Sequence, residues 1–148
     1  MVLRDGAQQP TTDGSNAGNV SLSSGQERDL VCALSYLHLA CGQGAQCVAL
    51  LRLIVRDNSQ DVDLLRILAY ALISEGLGDQ ALRILDRLDT LDDEPSSRTH
   101  LMLLRSHALR RAGRMDEARA VFQDYVSLRV GTVLIKQSSE GLHDQRPA

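Results

Sequence analysis

The chain has 148 residues, enough for one domain that buries its own core without staples. Hydrophobic residues make up 43%, yet only 3% are aromatic and Trp is absent, so the core must rest on Leu, Ile, Val and Ala. A net charge of −3 and a pI near 5.7 argue against a nucleic-acid binder, and the basic residues are almost all Arg, which reflects composition more than a site.

The N-terminus lacks the basic-then-apolar pattern of a secretory signal. Residues 1–24 are rich in Gly, Ser, Thr, Asn and Gln without an apolar period, and read as a flexible leader. Helical structure is expected from "SGQE", where Ser24 and Glu27 have capping-box spacing. The first helix is expected at about 25–41, ending at Gly42, and the second near 45–57. The second contains the longest apolar run, "CVALLRLIV", which is too short, and too interrupted by Arg52, to span a bilayer. Cys32, Cys41 and Cys47 are an odd set, which argues for a reducing compartment rather than a disulfide framework. His38, Cys41 and Cys47 make only a partial ligand set for a metal, and buried Cys behaves as a small hydrophobe.

A third helix is expected from Asp61 to Gly76 and a fourth over 79–91, with Asp79 as its cap. "LDDEP" separates the fourth from a fifth, with Pro95 in a first turn where no amide bond is lost. Gly113 closes the fifth, and Asp116 and Glu117 open the sixth at its positive dipole end. The tail, 131–148, contains "TVLI", placed either to cap the last hairpin or to meet a partner, and then turns polar.

Gly42, Gly76 and Gly113 are spaced 34 and 37 residues apart. Thirty-four is the period of the tetratricopeptide repeat, and "DDEP" accommodates the three extra residues between copies. Seven residues before each glycine stand Ser35, Ala69 and Ser106; five residues after stand Cys47, Ala81 and Ala118. Larger residues follow at Leu51, Leu85 and Phe122, then at Ile54, Leu88 and Tyr125. The expected fold is therefore all-α: three tandem tetratricopeptide-like hairpins in a short right-handed α-solenoid over 25–130. The alternative is an irregular bundle whose glycines fall in step by chance. His38 at a usually large apolar place, Arg105 at a usual Leu, and the missing terminal prolines depart from the repeat pattern.

In such an array the first helix of each hairpin lines a concave groove. The register selects Cys32, Tyr36, Leu39 and Ala40 from the first hairpin. It selects Arg66, Tyr70, Ile73 and Ser74 from the second, and Leu103, His107, Arg110 and Arg111 from the third. Tyr36 and Tyr70 are one period apart, and Tyr offers amphipathic contact area at low rotamer cost. The expected groove grades from apolar to basic and suits an amphipathic or extended protein segment. The third-hairpin arginines also read as a solvated surface paired with Asp116, Glu117 or the "LDDE" loop. The sequence shows no P-loop, nucleophile elbow or complete metal set, and His38, His100, His107 and His143 lack evident catalytic partners. Neither an enzyme nor a cofactor is expected.

The segments "SYLHLACGQGAQCVALL" (35–51) and "LRRAGRMDEARAVFQDYVSLR" (109–129) resemble those of small type III secretion chaperones of the YscY/SctY type, bacterial cytosolic tetratricopeptide proteins. The resemblance spans roughly 27–130; its most particular part is the Leu-x-Leu-x-Cys-Gly form of residues 37–42. It implies a small secreted partner of the X type, and a pair that engages the cytosolic domain of the export-gate protein. It implies no catalytic residue. The needle-subunit co-chaperone and the translocator chaperone share the architecture, and a self-associating scaffold or adaptor is a further alternative.

Overall fold

The computed structural model describes residues 24–56 and 59–140. Apart from Ser24, the expected leader lies outside the described residues, as does the tail from 141 onward. Six helices follow in order, and the described residues contain no strand. They are α1 (Ser24–Ala40), α2 (Gly44–Ile54), α3 (Val62–Ser74), α4 (Gly78–Leu91), α5 (Pro95–Arg111) and α6 (Met115–Glu140).

Three of the five connections are built the same way. Gly42, Gly76 and Gly113 take φ of +71°, +76° and +79°, a conformation that suits only a residue without Cβ. Behind each, the next amide bonds back to the last helical turn: Gln43 to His38, Leu77 to Leu72 and Arg114 to Leu109, at 2.8–2.9 Å. Each glycine amide bonds to the carbonyl one residue further on, that of Leu39, Ile73 or Arg110. These paired bonds satisfy carbonyls that a helix end leaves open, and they fold the chain back into a hairpin. The hairpins are α1–α2, α3–α4 and α5–α6.

Between hairpins the starts are made differently. Asp61 caps α3, its side chain accepting from the Leu64 amide at 3.2 Å. Pro95 opens α5 in the first turn. Asp79 does not cap α4. Leu77 occupies the cap position and the helix already includes Gly78, so Asp79 acts through its charge in the first turn. α2 stops three residues short of the expected end because Val55 turns extended, with ψ of 101°.

Every helix touches its successor, and α3 also touches both α1 and α5. The second helices, α2, α4 and α6, make no contact with one another among the described residues. The first helices thus form an inner row, and α3 is the centre of the core. Leu51, Leu65, Leu85 and Leu88 are fully buried, each contributing roughly 1.5–3 kcal/mol of burial. The small positions are where helices approach most closely: Ser35, Ala69, Cys47 and Ala81 are sealed, and Ser106 and Ala118 nearly so. At Gly78 an added Cβ would lie 2.4 Å from the Ala112 nitrogen and 2.5 Å from the Ala108 oxygen, so α4 meets α5 backbone to backbone.

α6 does not end at 130. It runs unbroken through Gly131 to Glu140, and Val133, Leu134 and Ile135 are 50–73% exposed on it. "TVLI" therefore extends the helix and does not cover the end of the third hairpin.

Candidate functional site

The inner row opens into a cleft of about 490 Å³. α1 contributes Tyr36, Leu39 and Ala40; α3 contributes Arg66, Ile67 and Tyr70; α5 contributes Leu104. The one-period spacing of Tyr36 and Tyr70 puts their rings at equivalent places on adjacent helices, where they remain 61% and 54% exposed. Ile67 lies in the core, while Leu39 and Leu104 are half-buried against it. The result is an open, mainly apolar trough lined by two exposed tyrosines.

Arg66 is the one charged group of that cleft, and its charge is already compensated. Its guanidinium bonds to Asp92, to Ser97 Oγ at 2.6 Å, and approaches Asp63 at 3.7 Å. Burial works against a charged Asp92, but the Arg66 guanidinium and the Glu94 amide outweigh it and hold the carboxyl below its ordinary range. The arginine head is thus tied to the α4–α5 junction while its stem forms cleft wall.

Five of the twelve expected groove residues meet in this cleft: Tyr36, Leu39, Ala40, Arg66 and Tyr70. Ile73 does not. It is 7% exposed and belongs to the core, because the next hairpin covers that face of α3. Cys32 is half-buried against the core, and burial pushes its thiol pKa up. Ser74 is exposed, but its hydroxyl donates to the Ala71 carbonyl and sits over Gly44, away from the cleft. Leu103 is half-buried outside the cleft; its neighbour Leu104 faces in. The signal for Leu104 was available, since Ile67 and Leu104 are apolar at equivalent places one hairpin apart.

The basic third-hairpin residues do not continue this cleft. His107 and Arg110 line a second opening, of about 310 Å³, between α5 and α6, with Met115, Ala118, Arg119 and Phe122. Arg111 is exposed and borders neither. Several other arginines bind carboxylates: Arg105 pairs with Asp86 and Asp89 of α4, and Arg114 with Glu117. The partial ligand set of His38, Cys41 and Cys47 does not come together: His38 bonds the Gln43 side chain at 2.8 Å, Cys47 is sealed in the core and Cys41 is exposed.

The lining offers apolar side chains, two tyrosines and a compensated arginine, an arrangement that can hold apolar surface. No helix among the described residues is long and apolar enough to cross a membrane. Compared with protein-family models and with curated proteins, the sequence matches none.

Proposed function

We propose that this protein is a binding module of the tetratricopeptide kind that shelters an apolar protein segment in the α1–α3–α5 cleft. The observation that carries the reading is the open cleft itself: two tyrosines one period apart, more than half exposed, beside Leu39 and Leu104. Such surface is unfavourable in water, and a partner that covers it recovers the transfer energy. The repeated glycine turns, the sealed small positions and the inner row of first helices support a three-repeat solenoid.

Within that reading, the resemblance of residues 35–51 and 109–129 to YscY/SctY-type chaperones favours a role in bacterial type III secretion, in the cytoplasm. The chain would bind a small X-type export component and present the pair to the cytosolic domain of the export-gate protein. Covering the substrate prevents its aggregation, and no chemistry or cofactor is required. A needle-subunit co-chaperone or translocator chaperone would use the same cleft on a different cargo.

The test is a mass measurement. Light scattering on the purified chain, alone and after co-expression with an X-type component, is expected to give a monomer and then a stable heteromeric complex. A homo-oligomer that excludes the component would contradict the chaperone reading and favour the self-associating scaffold.

A further inference from the structure

Each of the first two hairpins is covered by the helix that follows it: α3 lies on α1 and α2, and α5 on α3 and α4. The third hairpin has no such cover among the described residues, and the equivalent place is the open α5–α6 cleft. Its floor includes Met115 and Phe122, each 45% exposed, and Val126 continues the stripe at 41%. The residues of the second hairpin that match Met115 and Phe122, Gly78 and Leu85, are buried, while Val126 stands at the place of the exposed Asp89.

The wall of this cleft has changed character as well. Arg110 and Arg119 stand where the second hairpin has Ile73 and Leu82, both buried in the core. Arg119 approaches Asp116 at 3.6 Å but is 72% exposed, and Arg110 makes no ion pair among the described residues. Burial, then the positive field of Arg110 and Arg111, pushes the His107 imidazole below its ordinary range. The arginines are not needed to close α5, since α1 and α3 end in the same glycine turn with Ala40 and Ser74 at the place of Arg111.

A second copy of the chain is one conceivable occupant, because α1 exposes Leu30, Leu34 and Leu37 at the places of Leu64, Leu68 and Ala71. That stripe carries a single carboxylate, Glu27, one turn before Leu30, to meet both Arg110 and Arg119. Leu37 would also meet Met115 where Ala108 meets Gly78, which keeps the helices from approaching as closely. Charge complementarity selects a different guest. We infer that the α5–α6 cleft receives an amphipathic helix of another protein, its apolar residues spaced three and four apart and flanked by carboxylates. This surface is separate from the α1–α3–α5 cleft, and the inference does not depend on the function proposed for that cleft.

The experiment titrates the full chain with a labelled helical peptide carrying Leu at positions i, i+4 and i+7 and Glu on either side, followed by anisotropy. A second peptide replaces every Glu by Lys. The Glu peptide is expected to bind at least about tenfold tighter at low salt, and Arg110→Glu with Arg119→Glu to reverse the preference. Phe122→Glu should weaken binding, whereas Tyr36→Glu with Tyr70→Glu should leave it unchanged. No binding of the Glu peptide, equal binding of both peptides, or a preference that survives charge reversal would overturn the inference. So would self-association of the chain abolished by both Leu34→Glu and Phe122→Glu, which would place a second copy in the cleft.

Discussion

Ser35 and Ser106 hold the same place in the first and third hairpins and do different things there. The Ser106 hydroxyl donates to the Ala118 carbonyl at 3.0 Å, tying α5 to α6. The Ser35 hydroxyl is sealed with only the weakly bonding Cys47 thiol beside it and makes no full hydrogen bond among the described residues. A buried unpaired hydroxyl costs stability, whereas a paired one contributes about 1 kcal/mol. Ser106→Ala is therefore expected to destabilise by about 1 kcal/mol in urea unfolding, and Ser35→Ala to be neutral or stabilising. Tyr70 and Ile73 give a second contrast, three residues apart on α3. Ile73→Glu buries a charge and is expected to cost about 3 kcal/mol or more, while Tyr70→Glu leaves the unfolding midpoint nearly unchanged. Sequence spacing placed both on one inner face. It missed that the next hairpin covers the Ile73 side, because the width of a neighbour's footprint is set by packing and not by the period of one helix.

At the scale of elements, two junctions are open to test. Gly78→Ala drives a Cβ into the α5 backbone, so the second and third hairpins must part, at a cost of about 1–3 kcal/mol seen as a lowered Tm. The second junction joins α1 to the start of α3. Arg28 grips Asp61 through Nε at 2.6 Å and Nη2 at 3.1 Å, and reaches Asp63 at 2.5 Å. The Arg28 guanidinium, aided by the Leu64 amide, outweighs burial and holds the Asp61 carboxyl below its ordinary range. Since the folded value lies below the unfolded one, this stabilisation is present above about pH 3.9 and is lost as pH falls through the folded value. The stability gap between wild type and Arg28→Gln should accordingly be full at neutral pH and close below about pH 3.9. Helix number, order and the three glycine turns were legible because a positive φ and a 34-residue spacing are local signals. The length of α6 was not. The repeat pattern ends at 130, yet an isolated glycine inside a helix costs only about 1 kcal/mol against Ala, and α6 continues past Gly131.

For the whole molecule, the three hairpins leave an apolar opening and a basic one that differ in kind. The apolar cleft forms where three first helices meet, and the basic one on the third hairpin, which no further helix covers among the described residues. The sequence ran them together into one graded groove, since Arg110 is equivalent to Ile73 in register but, among the described residues, is not covered by a following helix. Tyr36, Leu39, Ala40, Arg66 and Tyr70 do share one opening, whereas Ile73 and Ser74 of the same α3 and the basic residues of α5 lie elsewhere. The central claim is that the apolar cleft holds a partner's segment. It is tested most directly by the affinity of an X-type export component for the Tyr36→Glu, Tyr70→Glu double variant, with circular dichroism confirming the fold. Two charges on a desolvated contact should weaken binding by about 100-fold or more at unchanged helicity. Affinity within about twofold of wild type in a fully helical variant would contradict it.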